Sequence, residues 1–184
     1  MTELTPTPGQ TVGPFFGFGL PYPGDNALVP STDRHAIRLH GVVYDGAQNP
    51  VPDALIEIWQ PGPGGDIIQV AGSLQRDGWT FTGWGRAATD AAGHYDFSTV
   101  PPGATAAGKP PFFALTVFAR GLLNRLFTRA YLPDGDPDDD PLLAKLEPER
   151  RATLICTPEP PGYRFDIHLQ GELETVFLDY GVGR

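Results

Sequence analysis

Four histidines, one cysteine and a carboxylate-rich loop are the residues of this 184-residue chain whose types could support chemistry. A metal held within one chain needs His, Cys, Asp, Glu or Tyr converging from neighbouring strands, most simply as His-x-His on one strand face. No such pair occurs. His35 and His40 lie five apart, His94 sits beside a turn and His168 falls on an outward strand face, so each reads as a surface histidine. Nucleophilic chemistry has no better support: there is no G-x-S-x-G, and Cys156 lacks a basic neighbour or a helix N-terminus that would lower its pKa. It reads as a buried structural thiol. The stretch DGDPDDDP, residues 134–141, packs five carboxylates into seven residues and invites a calcium reading. Aligned as an EF-hand loop from Asp134, however, it puts Asp139 where a glycine is required and Lys145 where the bidentate Glu belongs, so a solvated acidic loop is expected. Gly62, Gly64 and Gly65 lead into neither Gly-Lys-Ser/Thr nor a helix, which predicts a flexible turn rather than a phosphate cradle.

The elements that must position any site are strands. IRLHGVVYD (37–45) and ALIEIWQ (54–60) alternate in character around the breaker-rich turn GAQNPVPD. GRAATDAAGHYDFSTVPPG (85–103) repeats the scheme about a turn at Asp90 to Gly93. FFALTVFAR (112–120) is nearly continuous apolar sequence and predicts a central buried strand, with LFTRAYL (126–132) pairing to it. YRFDIHLQG (163–171) puts Tyr163, Phe165, Ile167 and Leu169 on one face, and TVFLDY (175–180) closes the set. Only DPLLAKLEPERRATL (140–154) has helical character, broken into short pieces by Pro148. The pattern predicts an all-β chain, an antiparallel β-sandwich, with one short helical segment.

Composition bounds the rest. Twenty-three glycines and 21 prolines approach a disordered composition, yet 40% of residues are hydrophobic and 11% aromatic, which favours a loop-rich folded protein. The net charge of -9 argues against nucleic acid or an anionic membrane as partner. A single cysteine excludes an internal disulfide, and with no targeting or membrane-spanning segment in view a reduced, cytoplasmic setting is expected. Residues 1–30 stand apart from the sandwich domain at 31–184. In GQTVGPFFGFGLPYPG (9–24) prolines and glycines deny regular structure, while Phe15, Phe16, Phe18, Leu20 and Tyr22 would make a solvated tail adhesive. An extended arm laid across another surface is expected.

In order along the chain, GQTVGP, HGVVYDGAQNPVPDALIEIWQ, GRAATDAAGHYDFSTVPPG, FARG, TRAYLPD and YRFDIHLQGELETVFLDY resemble the intradiol ring-cleaving dioxygenases. The resemblance covers nearly the whole chain; GELETVFLDY and FARG are its most specific parts, whereas the strand turns alone would also fit a transthyretin-like, non-enzymatic binding module. It implies a β-sandwich in which a catalytic chain holds non-haem Fe(III) with two Tyr and two His, phenolate being a hard donor suited to that ion. A catechol, here protocatechuate, would be cleaved with O2 to 3-carboxy-cis,cis-muconate.

This sequence departs from the catalytic pattern at all four ligands. The first Tyr position, after Gly64-Gly65-Asp66, holds Ile67; the second, after Pro102-Gly103-Ala104, holds Thr105; the His-x-His pair aligns with Phe112 and Ala114. Tyr131 belongs to a different strand and reads as a packed aromatic. The resemblance therefore implies a chain that binds no iron itself and joins a catalytic β chain carrying the Fe(III), in a large alpha-beta hetero-oligomer. By the same resemblance Thr11, Gly13 and Pro14 of the arm, and Arg120 of FARG, line the active site shared with that chain. Phe15 and Phe16 would anchor the crossing, and Arg120 would hold the substrate carboxylate or order the pocket. Arg129, in TRAYL, reads as an interface or surface residue. A self-sufficient enzyme with an unrecognised site is the other alternative to be separated by experiment.

Overall fold

Alternation of apolar and polar residues in IRLHGVVY makes Ile37–Tyr44 (β1) a strand with Leu39, Gly41 and Val43 turned to the core. A computed structural model describes residues 11, 13, 15–70 and 77–181 and builds two sheets around this pattern. The strands after β1 are Leu55–Trp59 (β2), Trp84–Ala88 (β3), His94–Thr99 (β4), Phe112–Phe118 (β5), Leu126–Tyr131 (β6), Thr157–Glu159 (β7), Gly162–Arg164 (β8) and Ile167–His168 (β9). One sheet is antiparallel throughout, in the order β3-β2-β5-β6. The other runs β4-β1-β8-β7, with β9 also on β1. Leu39, Val43, Tyr95 and Phe97 from one sheet meet Ile56, Ile58, Phe113, Leu115 and Val117 from the other to form the principal core. A smaller core of Tyr131, Leu143, Leu154 and Val176 lies beneath the segment after β6.

The sandwich is the one expected, but three local features differ. First, β1 pairs in parallel with β8 and β9, and the expected single strand at 163–171 is divided between them. The chain steps inward at Phe165, whose amide donates to the His40 carbonyl at 2.7 Å while its own carbonyl accepts from the buried Tyr95 hydroxyl at 2.6 Å. Gly41 permits the crossing, because a Cβ there would fall on the Phe165 carbonyl oxygen. Second, 175–180 is not a strand: Thr175 bonds to His168 and Leu178 to Phe127, one partner from each sheet, so the segment bridges the sandwich. Third, regular helix occurs within the aromatic arm. Phe16–Gly19 (α1) is one turn held by Gly19 N–H to Phe15 C=O at 2.8 Å and Leu20 N–H to Phe16 C=O at 3.2 Å, short enough to accommodate its two glycines.

The helical segment at 140–154 resolves into a 3-10 turn at Leu143–Lys145 and a helix at Pro148–Ala152 (α2). Pro148 starts α2, since the first helical position needs no N–H. The acidic loop is less solvated than expected. Asp140 is buried, and its Oδ1 accepts from the Leu142 and Leu143 amides at 2.8 and 3.3 Å.

Residues 20–29 of the expected arm are tied to the sandwich of their own chain. Arg86 N–H donates to the Asp25 carbonyl at 2.8 Å, Ser98 N–H to Asn26 at 3.0 Å, and Leu28 N–H to Ser98 at 2.8 Å. Leu28 enters the principal core. The compositional boundary at residue 30 is therefore not a boundary in hydrogen bonding.

Candidate functional site

The outer face of the β3-β2-β5-β6 sheet carries the residues in question, and its register sets them in rows. Trp84, Trp59, Ala114 and Arg129 are successive cross-strand partners; Arg86, Glu57, Thr116 and Phe127 form the next row; Phe112 faces Tyr131. Beyond Trp59 the Gly62 to Gly65 turn is fastened to the segment before β5. Gly103 N–H donates to the Gly62 carbonyl at 2.9 Å, and Gly65 has φ 88° and approaches the Ala104 carbonyl too closely for any side chain. The turn expected to be flexible is thus a packed one. It brings the two loops that bear Ile67 and Thr105 together at the end of the sheet where β5 begins with Phe112 and Ala114.

These four positions do not fit a metal. Ile67 is 71% exposed, and Thr105 is exposed with a hydroxyl in place of a phenol. Phe112 and Ala114 are half-buried and supply no donor atom. Among the described residues no group of three or more His, Cys, Asp or Glu is placed to hold a metal ion. Arg129 occupies the neighbouring space: its guanidinium carbon stands 4.3 Å from the centre of the Phe112 ring, and its Nη1 donates to the Tyr131 hydroxyl at 2.9 Å. Asp140 Oδ2 is 3.7 Å from the same Nη1. Arg129 is therefore a fixed member of the fold rather than a loose surface residue. Tyr131 is buried, as expected, and burial pushes its phenol up to about 12 against the opposing pull of Arg129.

Arg120 is at the far end of β5. It is eight positions beyond Phe112, about 26 Å of extended chain. Its Nη2 lies 2.5 Å from Asp53 Oδ2, and 63% of its side chain is exposed, so the pairing leaves much of the guanidinium accessible. The arm arrives at this same end: the Phe16 ring centre is 6.3 Å from that of Phe118, two residues before Arg120. Thr11 and Gly13 precede α1, both exposed, with open space around Gly13; Pro14 lies outside the described residues. Phe15 and Phe18 are 85% and 86% exposed, so two of the aromatic rings expected to be covered are left open among the described residues. β5 thus has Phe112 and Ala114 at its start, and Arg120 with the arm just past its other end.

Two further features escaped sequence reasoning. Arg86 and Glu57 form a buried pair beneath the incoming arm, with Nε and Nη2 at 3.1 and 2.6 Å from one carboxylate oxygen, while Nη1 donates to the Leu20 carbonyl at 2.8 Å. Opposite charges at outward positions of adjacent strands were the available signal. His40, expected at the surface, is only 7% exposed. It lies 3.2 Å from Glu159 Oε1 and 3.4 Å from His94, and burial, followed by the nearby Arg38 charge, lowers its pKa. His168 is half-buried and stacked on Tyr44 at 4.9 Å, not outward. Cys156 is buried as expected, its thiol pushed up to about 12 by burial.

A two-sheet β-sandwich defines the fold, and comparison with known proteins gives the family. The model of a family described as Dioxygenase matches residues 13–111. A protocatechuate 3,4-dioxygenase alpha chain from Burkholderia cepacia is 38% identical over 97% of this chain and 100% of its own length. The beta chain of that enzyme from the same organism is 34% identical over 71% of this chain and 63% of its own length. Among solved structures, the dioxygenase domain of a dioxygenase carbohydrate-binding protein fusion from Streptomyces sp. SirexAA-E superposes with a TM-score of 0.61 at 26% identity, covering 91% of this chain and 99% of that one. The chain belongs to the intradiol dioxygenase family.

Proposed function

We propose that the chain is the non-iron-binding subunit of a heteromeric protocatechuate 3,4-dioxygenase. Its partner is the catalytic beta chain, which holds Fe(III), and the pair cleaves protocatechuate with O2 to 3-carboxy-cis,cis-muconate in the catabolism of aromatic compounds. The observation that carries the proposal is the division of labour along β5. The ligand positions at its start hold Phe112 and Ala114, while accessible Arg120 and the arm gather at its end. Thr11, Gly13, Pro14 and Arg120 then contribute to the partner's pocket, not to one of this chain's own. Arg120 offers a planar cation to a carboxylate, with Asp53 holding one edge of it. Phe15 and Phe18, uncovered here, bury their rings against the partner, roughly 150 to 250 Å² each. The ferric ion, where bound, acts as a Lewis acid toward the catechol oxygens; this chain contributes shape and charge around it. The assembly is a large alpha-beta oligomer in the cytoplasm.

Co-expression with the beta chain, followed by mass determination, an iron count and a protocatechuate assay, tests the proposal. Iron and turnover are expected in the heteromer and neither in the isolated chain. Stoichiometric iron in the isolated chain would overturn it. In the heteromer, Arg120→Ala is expected to impair turnover of protocatechuate more than that of catechol, which lacks the carboxylate; equal, negligible losses on both would remove Arg120 from the site.

A further inference from the structure

We infer that Arg129 stands in for the metal ion as the fixed cation beside Phe112 and Ala114, tying β5, β6 and the acidic loop together and barring a metal from these two positions. The inference rests on the reading of Phe112 and Ala114 as former ligand positions. Strand register makes Ala114 the direct partner of Arg129 and Phe112 that of Tyr131, so anything placed at 112 or 114 has the guanidinium as its cross-strand neighbour. That guanidinium is not free to move aside. It lies over the Phe112 ring at 4.3 Å, donates to the Tyr131 hydroxyl at 2.9 Å, and faces Asp140 Oδ2 at 3.7 Å. The Phe112 and Tyr131 rings are themselves 5.1 Å apart.

The three partners come from three segments: β5, β6 and the acidic loop. Asp140 is anchored in turn by the Leu142 and Leu143 amides, so the loop closes over the smaller core through a charge on the outer sheet face. A metal centre in a sandwich would link separate segments through one positive charge; here a guanidinium links them through a hydrogen bond, an ion pair and a ring face. A second cation at this spot meets like-charge repulsion. Replacing ligands alone would not restore metal binding while Arg129 remains.

The test grafts a His-x-His pair by Phe112→His/Ala114→His into the full chain, with Arg129 retained or replaced by Gln, and titrates each with Zn2+ in a calorimeter. The variant lacking Arg129 is expected to bind Zn2+ at least about tenfold more tightly, a difference of about 1.4 kcal/mol. Equal affinities, including no binding by either, would overturn the inference. Iron found in the unaltered chain would instead defeat the underlying reading, so the two failures are distinguishable.

Discussion

Removing Arg86 tests how the N-terminal segment is held on the sandwich. Its side chain is 10% exposed and that of Glu57 18%, so Arg86→Ala leaves a carboxylate shielded from water with no counter-charge, and leaves the Leu20 carbonyl without its donor. Breaking one side of such a pair costs about 3 to 5 kcal/mol. For a chain of this size that corresponds to a Tm lower by roughly 6 to 20 °C. The cost also has a location. Asp25, Asn26 and Leu28 bond to residues 86 and 98, so amides of 25–29 should lose protection through local opening, beyond the loss that core amides of β1 and β5 show from the lower global stability. The informative control is Glu57→Leu/Arg86→Leu, which removes both charges and should recover most of the loss, because the penalty belongs to the orphaned carboxylate rather than to the missing pair. Urea unfolding followed by circular dichroism supplies the free energies, and hydrogen exchange the location. A loss below about 1 kcal/mol, typical of an exposed pair, or a double variant no more stable than the single, would refute the reasoning.

Three other outcomes are expected. Gly41→Ala should destabilise the chain severely or prevent folding, because its Cβ would strike the Phe165 carbonyl where β8 passes to β9; a Tm within a few degrees of the parent, on the scale of about 2 to 4 °C per kcal/mol, would contradict this. Cys156 should resist thiol reagents in the native chain at mildly alkaline pH and react only after denaturation, since burial pushes its thiol up to about 12; rapid native labelling would place it elsewhere. His40 and His168 have folded pKa values below the 6.5 of an unfolded histidine, so the unfolded state binds their protons first. Their stabilising contribution is present above pH 6.5 and is lost as pH falls through the folded values. His40, faced by Arg38, Glu159, His94 and Arg164, can be isolated by His40→Gln, which should flatten the decline in urea-measured stability between about pH 7.5 and 5.5; an unaltered slope would refute it.

The strands were legible wherever one face is wet and the other dry. β1, β2, β4, β5 and β6 lie where alternation or a dense apolar run placed them, because side-chain period and burial are then the same signal. Legibility failed where a segment satisfies its backbone with partners from two places. TVFLDY has the composition of a strand, yet Thr175 bonds toward one sheet and Leu178 toward the other. YRFDIHLQG alternates correctly, and Phe165 and Ile167 do reach the core, but the step past Gly41 is a tertiary event with no local mark. The one-turn α1 was hidden for the opposite reason: four residues need only two hydrogen bonds, too few for composition to forbid.

At the start of β5, what the side chains lack was legible and what packs beside them was not. That Phe112 and Ala114 cannot ligate follows from their side chains alone. That Arg129 fills the space beside them depends on a register in which residues 15 and 17 positions apart in sequence become neighbours, and no spacing rule selects Arg129 over Arg125 without it. The same holds for Arg86 and Glu57, and for His40, whose burial follows from the β1–β8 pairing and Glu159 on the adjoining β7. In each case a charged or titratable group is retained inside by a charged partner from another segment. Such pairs survive only where both members stay together, since losing one costs far more than losing both. On this sheet face Arg129, Tyr131 and Asp140 are held together in the same way, by a hydrogen bond and an ion pair that share one guanidinium.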